Sequence, residues 1–352
     1  MKTKKILSWI WLILLVGFFT PYSPNPIPTI STKDWIENSI NRWQLLRKNN
    51  LIQGTLLITQ SNQLIFSDGK SDQQYSIGSL SKSFVGYYFY THPDLKDKKV
   101  CQYFQTFCQT DLNHVTVGDL LKHRSNISKK SELSQMLMYS FAVQTELSKL
   151  DSVQISAENR QPKNPRFRYS NLGYLFLSRI IEIQEKKSFA DAMQAIFKKA
   201  DLNQTTVANS TNSPKTVLLI PWTTIEFKVP FINQAAHSFG AGGIISTALD
   251  LQKWFRFLNS ENVQKFASKN VDHYDLGLIH TENNLGQMFW HNGAVLGFYS
   301  LNIHTKENLQ FTLLTNHLKP FEFLQSCLGP FESFYKNENT KTNNNNPTKE
   351  KK

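Results

Sequence analysis

Ser79 and Lys82 lie three residues apart in the segment Ser79-Leu-Ser-Lys82. If a helix begins at Ser79, residues at this spacing share one face, so the lysine amine lies beside the serine hydroxyl. A serine hydroxyl is a weak nucleophile until a neighbouring base takes its proton, and a desolvated lysine can act as that base. The N-terminal end of the helix would also stabilise the negative charge that develops. The pair therefore predicts nucleophilic catalysis by Ser79.

The Ser-x-x-Lys spacing is short enough to arise by chance, and the context of each copy decides its meaning. The first copy falls on an Asp-Gly turn signal, and the last lies against the polar C-terminal tail. Only the middle copy follows a predicted strand and opens an apolar helix. The three pairs are Ser67–Lys70, Ser79–Lys82 and Ser333–Lys336.

Two hairpins and several amphipathic helices must position this pair. The alternation of apolar and turn residues predicts hairpins over residues 54–66 and 298–314. Capping residues and apolar periodicity predict helices from Ser79 to about Tyr90, from Thr116, from Asn171 to Ile183, from Ser188 and from Thr247. Strands at both chain ends with helices between them predict an α+β fold. We expect one antiparallel sheet formed by both chain ends, with helices packed on it and a helical subdomain.

The two ends of the chain differ from its body. Residues 1–20 combine three early lysines with an apolar run, residues 6–20, which is typical of a signal peptide or of an uncleaved N-terminal membrane anchor. Residues 21–30 form a Pro-rich linker, residues 31–335 the folded domain, and residues 336–352 an Asn/Lys-rich tail predicted to be disordered. Because lysines precede the apolar run, the body is expected outside the cytoplasm. The protein is thus predicted to be exported and periplasmic or otherwise extracytoplasmic, and anchored to the inner membrane if residues 6–20 are retained.

Composition excludes several function classes. The chain has 352 residues, of which 40% are hydrophobic and 19% charged, which is typical of a globular protein. Half of the net charge of +12 comes from the two ends, so no basic face for nucleic acid is predicted. Cys101 and Cys108 could form a disulfide in an oxidising compartment, whereas at least one of the three cysteines stays unpaired. Without a Cys-x-x-Cys or paired histidines, neither a metal site nor a cofactor is predicted.

Residues 75–84, with the sequence YSIGSLSKSF, resemble the nucleophile segment of the serine β-lactamase and penicillin-binding DD-peptidase superfamily, in particular its class C-like branch. Several motifs in one order are a stronger signal than any one of them. Further segments similar to that superfamily follow in its order: residues 115–125, Tyr169-Ser-Asn171, residues 241–250 and His291-Asn-Gly293. The resemblance spans residues 54–316 and implies a β-lactamase/transpeptidase-like fold.

The resemblance also implies a catalytic trio. Ser79 would attack a carbonyl carbon to form an acyl-enzyme, and Lys82 with Tyr169 would carry the proton. A phenol beside a lysine can act as a general base at this point.

Four further residues are implied to bind the substrate. Asn171 would hold the substrate amide and the lysine, and His291 would either orient Tyr169 or meet a substrate carboxylate. Gly293, without a Cβ, would let the substrate lie along its strand. The backbone N–H groups of Ser79 and Ala294 would form the oxyanion hole.

Two departures from the family pattern bear on the site. Asn126 stands where the family has glycine after His123-x-Ser125, but asparagine tolerates a left-handed backbone, so the turn is expected to survive. His123 and Ser125 themselves are expected to brace this loop. A histidine instead of a lysine at position 291 favours peptidases and esterases over a dedicated class C β-lactamase.

The function predicted from the sequence is a cell-envelope serine hydrolase that acts through an acyl-enzyme. Its substrate would be a small molecule or a peptidoglycan peptide: a D-amino-acid peptide, as for a DD-carboxypeptidase, or a related amide or ester. The alternatives are an esterase or β-lactamase of the same fold, or a non-catalytic module that binds penicillin or cell wall. Pocket walls set this choice, and the sequence does not display them.

Overall fold

The computed structural model describes residues 31–50, 52–134, 146–158, 167–209, 212, 217–219, 226–228, 238–263, 274–283, 286–295 and 298–315. The predicted signal peptide or anchor, the Pro-rich linker and the C-terminal tail lie outside these residues, as does Cys327. Within the described part of the chain, none of the helices combines the length and apolar character needed to cross a bilayer.

A seven-stranded antiparallel sheet forms the centre of the fold, in the order β2-β1-β12-β11-β10-β9-β8. Its strands are β1 (Gly54–Gln60), β2 (Gln63–Asp68), β8 (Tyr274–Asp275), β9 (Leu278–Asn283), β10 (Gly286–Val295), β11 (Phe298–Thr305) and β12 (Leu309–Thr315). Strand β1 pairs with β12 in a register that places Gly54 opposite Thr315. Both chain ends therefore complete one sheet, and the predicted α+β fold and both hairpins are confirmed.

The remaining strands form two smaller sheets, one of three strands in the order β3-β7-β4 and one hairpin, β5-β6. They are β3 (Tyr75–Ser76), β4 (Thr206–Val207), β5 (Val217–Leu219), β6 (Glu226–Lys228) and β7 (Ile244–Ser246). The α-helices that the structure describes from end to end are α1 (Thr32–Lys48), α2 (Lys82–Thr91), α3 (Gln105–Cys108), α4 (Val117–Leu121), α5 (Asn171–Glu185), α6 (Phe189–Lys199), α7 (Phe239–Gly242) and α8 (Ala248–Ser260).

Helices cover both faces of the central sheet. On one face, α1 packs Trp35 against Phe311 of β12, with ring centroids 5.1 Å apart. On the other face, Phe255 of α8 stacks on Phe289 of β10. The apolar stripe predicted for α8 points into the core, since Trp254 is fully buried. The sheet is thus the middle layer of three, and its face toward α8 also meets the nucleophile turn (Gly78–Ser81), which carries Ser79.

Local sequence signals account for the helix starts. Thr116 forms a capping box with Asp119 at the start of α4. The side chains of Ser170, Ser188 and Thr247 cap α5, α6 and α8 by accepting the N–H of the residue three positions later. At position 126 the backbone is left-handed, with φ of 59°. The turn predicted to survive the glycine-to-asparagine departure is therefore present.

A disulfide joins Cys101 and Cys108, the pairing that the sequence left open. The two cysteines flank Phe104 and Phe107, which are fully buried against Phe176 of α5. The bridge therefore closes a short loop that packs on the helix whose first turn reaches the candidate site.

Candidate active site

Ser79 lies in a 3₁₀ turn, Gly78–Ser81, that runs directly into α2. The single helix predicted from Ser79 is thus wrong in its first turn, because Gly78 adopts a left-handed backbone with φ of 51° and starts a tighter coil. The spacing argument survives, since residues three apart also align in a 3₁₀ turn. The Lys82 Nζ atom lies 3.0 Å from the Ser79 Oγ atom.

The Lys82 amine is completely buried, with 0% of the residue exposed. It lies 2.8 Å from Asn171 Oδ1 and 2.5 Å from the Ala241 carbonyl oxygen. Burial lowers the pKa of Lys82 from its ordinary 10.5 to about 7, and the negative charge of Glu132 opposes part of this change.

These contacts suit the neutral amine as well as the ammonium. A neutral amine has two N–H donors and one lone pair, and the two carbonyl-type oxygens of Asn171 and Ala241 take the donors. The lone pair then faces the Ser79 hydroxyl, which is the arrangement that a general base needs. After Lys82 takes the serine proton, its three N–H groups have three acceptors, so neither protonation state breaks a contact.

At the start of α5, Tyr169 reaches Ser79 and Asn171 reaches Lys82. The Tyr169 hydroxyl lies 2.6 Å from Ser79 Oγ. The residues on either side of Tyr169 are held by His123: its carbonyl oxygen accepts the Arg168 N–H, and its Nδ1 accepts the Ser170 N–H. The sequence predicted that His123 braces the loop at Asn126; the structure shows that it braces residues 168–170, and none of its described contacts reaches Ser79.

Strand β10 brings Gly293 and Ala294 against the nucleophile turn. A Cβ atom built on Gly293 would lie 2.9 Å from the Ser79 nitrogen and would overlap the Ile77 carbonyl oxygen. A Cβ on Gly78 would lie 2.7 Å from the Ala294 nitrogen. The backbone nitrogens of Ser79 and Ala294 thus approach one another at the edge of the sheet, as an oxyanion hole requires. The absent Cβ of Gly293 makes room for the nucleophile turn, which is a different reason from the substrate path predicted from the sequence.

His291 is buried beside the predicted catalytic trio. Its Nδ1 contacts the Asn292 carbonyl oxygen, and its Nε2 lies 3.1 Å from the Tyr274 hydroxyl. Because a carbonyl only accepts hydrogen bonds, Nδ1 carries the proton and Nε2 accepts from Tyr274. Burial and the nearby Lys82 lower the pKa of His291 to about 3, so the ring is neutral near pH 7.

This state of His291 bears on its predicted role. Both ring nitrogens have protein partners, and the ring centroid lies 6.2 Å from that of Tyr169. A neutral imidazole with engaged nitrogens offers no cation to a substrate carboxylate. The arrangement favours the other role that the sequence left open, the packing and orientation of Tyr169.

Sequence reasoning missed three groups that the structure places at the site. They are the Glu132 carboxylate, the Tyr274 hydroxyl and the Ala241 carbonyl oxygen. The Ala241 carbonyl lies in a segment similar to the family, residues 241–250, but only the folded backbone brings it into contact with Lys82. No spacing links Glu132 or Tyr274 to the nucleophile, since each is brought there by tertiary structure.

Among the residues that the structure describes, no group of three His, Cys, Asp or Glu side chains could hold a metal ion. All seven residues predicted for the site converge around Ser79; their roles in catalysis remain predictions.

One sequence-family model and several solved structures are similar to this chain. No curated protein sequence matches the chain. Among solved structures, the chain is similar to a D-stereospecific amidohydrolase from Streptomyces sp., at 19% identity and a TM-score of 0.62, covering 80% of this chain and 96% of that one. It is also similar to a D-amino acid amidase from Ochrobactrum anthropi SV3, at 17% identity and a TM-score of 0.65, covering 86% and 99%.

A penicillin binding protein from Bacillus halodurans has the same fold, at 14% identity and a TM-score of 0.65, covering 85% of this chain and 98% of that one. At these identities the structures establish the fold alone. The sequence model of the Beta-lactamase family matches residues 49–327, which is most of the chain. The resemblance to the serine β-lactamase and penicillin-binding superfamily is therefore confirmed, and the chain belongs to the Beta-lactamase family.

Proposed function

We propose that this protein is a serine hydrolase that forms an acyl-enzyme on Ser79 and cleaves D-amino-acid peptides or related amides. The observation that carries the proposal is the set of contacts at Ser79 Oγ, with Lys82 Nζ at 3.0 Å and the Tyr169 hydroxyl at 2.6 Å. A nucleophile with a buried base and a second proton carrier within hydrogen-bond distance is the arrangement that acyl transfer needs.

The proposed reaction has two halves. In acylation, Ser79 Oγ bonds to the carbonyl carbon while its proton passes to Lys82, and the carbonyl oxygen gains negative charge near the Ser79 and Ala294 nitrogens. The bond to the leaving amine then breaks, and the amine takes a proton delivered through Lys82 or Tyr169. In deacylation, water attacks the ester carbon and gives a proton to the same pair; the bond from that carbon to Ser79 Oγ then breaks, and the pair returns a proton to Oγ, which releases the acid product.

The substrate class is the finer part of the proposal. Two of the structures similar to this chain are described as a D-stereospecific amidohydrolase and a D-amino acid amidase, and a third as a penicillin binding protein. The neutral His291 favours substrates whose leaving side carries no free carboxylate, such as amides, over DD-carboxypeptidase substrates. An ester of similar size would react by the same steps, so an esterase is the second candidate.

We further propose that the protein works outside the cytoplasm. The disulfide between Cys101 and Cys108 supports this location, because structural disulfides persist in oxidising compartments. Residues 6–20 would direct export, either as a cleaved signal or as a retained anchor. Fractionation of cells that express the full chain, with an antibody to the folded domain, tests this proposal; recovery in the cytoplasm with both thiols reduced would contradict it.

Intact-mass measurement of the folded domain tests the chemistry. The protein is incubated with a fluorophosphonate, with penicillin and with D- and L-phenylalanine amide, and Ser79→Ala is the matched control. We expect a fluorophosphonate adduct and cleavage of the D-amide, both lost in Ser79→Ala. A Ser79-dependent penicillin adduct would extend the substrate class to cell-wall peptides.

Other outcomes would redirect the proposal. Labelling by fluorophosphonate with turnover of simple esters alone would identify an esterase. The absence of every adduct in a folded wild-type protein would refute the hydrolase and favour a non-catalytic module that binds penicillin or cell wall.

A further inference from the structure

Glu132 lies outside the motifs that the sequence analysis singled out, yet its carboxylate contacts the first turn of α5. Its Oε1 accepts the Asn171 N–H at 2.6 Å and the Leu172 N–H at 3.0 Å. Its Oε2 accepts the Ser170 hydroxyl at 2.7 Å. The first N–H groups of a helix have no partner inside the helix, and a carboxylate both satisfies them and interacts favourably with the helix dipole.

The turn that Glu132 holds is the one that carries catalytic side chains. Asn171 Oδ1 contacts Lys82 Nζ at 2.8 Å, so Asn171 links the Glu132 carboxylate to the base. Tyr169 directly precedes Ser170 in the chain. On the far side of this segment, His123 accepts the Ser170 N–H. Glu132 and His123 therefore fix the segment 169–171 from two sides.

The charge of Glu132 also reaches the base. Burial raises the pKa of Glu132, and its three hydrogen bonds and the charge of Lys82 offset only part of this change. The negative charge of Glu132 in turn raises the pKa of Lys82 against the effect of burial. The other ionisable groups that face Lys82 among the described residues are His123, His291, Tyr169 and Tyr174. Among these described neighbours of Lys82, Glu132 is the one with a carboxylate.

We propose that Glu132 is a positioning residue for acylation: its carboxylate holds the segment 169–171 so that Tyr169 and Asn171 reach Ser79 and Lys82, and it places a negative charge near the Lys82 amine. The inference rests on the proposed function, since it assigns a residue that supports the same chemistry. A simple helix cap would stabilise α5 equally well without any effect on the proton chemistry of Lys82. The test must therefore separate a cap from a positioning charge.

Glu132→Gln provides that separation. The amide keeps an oxygen that can accept the two backbone N–H groups, but it removes the charge. We measure the second-order rate of fluorophosphonate labelling from pH 5 to 10, with each rate divided by that protein's own plateau. The acid limb of Glu132→Gln should move to lower pH by about half a unit or more, because the charge that raises the pKa of Lys82 is gone.

Glu182→Gln is the matched control. Glu182 accepts the N–H of Phe189, the first residue of α6, and pairs with Arg179, so it caps a helix without contacting the site. Its profile should superimpose on that of the wild type. Glu132→Ala removes the cap as well as the charge, and should lower the plateau rate by about tenfold to a hundredfold, as expected when a catalytic group is misplaced.

The outcomes keep this inference apart from the proposed function. If the wild type labels but Glu132→Gln has the same normalised profile as the wild type, the inference is overturned, whether or not Glu132→Ala folds. It is also overturned if Glu182→Gln shifts the profile by the same amount. If the wild type itself is not labelled at any pH, the hydrolase proposal has failed before the role of Glu132 is addressed.

Discussion

The buried Lys82 amine makes a quantitative prediction about pH. A lysine with the ordinary pKa of 10.5 is neutral in about one molecule in 3,000 at pH 7. With its pKa lowered to about 7, half of the Lys82 amines are neutral at that pH. Burial thus raises the fraction that can accept the Ser79 proton by about 1,500-fold.

The direction of the pH dependence follows from the sign of this change. Below pH 7 the amine is protonated and cannot act as a base, so the labelling rate should fall about tenfold per unit toward acid. The rate at pH 5.5 should be about thirtyfold below the plateau reached above pH 8.

The assay is fluorophosphonate labelling followed by intact mass, with circular dichroism at each pH to verify folding. Lys82→Arg should lose the reaction across the whole range, because a guanidinium stays charged. Lys199→Arg, at an exposed lysine that pairs with Glu261, is the matched control and should behave as the wild type. A wild-type rate that is flat from pH 5 to 9, or that rises with a midpoint near 10, would refute the argument that burial creates the base.

Three further variants test the second proton carrier, the packing of β10 and the disulfide. Tyr169→Phe keeps the ring and removes the hydroxyl that contacts the nucleophile, so labelling should fall by about 10²- to 10⁴-fold with an unchanged melting temperature; a wild-type rate would exclude Tyr169 from proton transfer. Gly293→Ala places a methyl group against the Ile77 carbonyl oxygen, so β10 must move. Calorimetry should show a loss of about 1–3 kcal/mol in the free energy of unfolding, and the labelling rate should also fall. Unchanged stability and labelling would contradict the close approach. The double substitution of Cys101 and Cys108 by serine opens a short loop and should cost about 2.5 kcal/mol by loop entropy in urea unfolding, with labelling unchanged; equal stability of the two proteins would show that the bridge is absent.

Local features of the fold could be predicted from the sequence because short-range forces determine them. The hairpin formed by β11 and β12 has an apolar run on each side of a polar turn, and that pattern needs no distant partner. The start of α4 is also encoded locally, because the Thr116 side chain accepts the N–H of Asp119, three residues later. The pairing of both chain ends in one sheet followed from where the strands lie along the chain.

The candidate residues of the site were likewise predicted from short motifs, and the structure brings them together. What the motifs could not determine was the state of each group. The pKa of Lys82 depends on its complete burial, and the neutral form of His291 depends on its own burial and on the nearby Lys82. Both are properties of the packed environment, which no spacing records.

The tertiary structure alone decided which groups support the chemistry. Glu132 reaches the first turn of α5 from 39 residues away, and the Ala241 carbonyl reaches Lys82 from 159 residues away. The absent Cβ of Gly293 faces the nucleophile turn because β10 is packed against it. Such contacts join segments that are far apart in the chain, and burial strengthens their effect on the pKa values at the site. The sequence therefore determines which chemistry is available to Ser79, and the fold determines the protonation states and the geometry in which it operates.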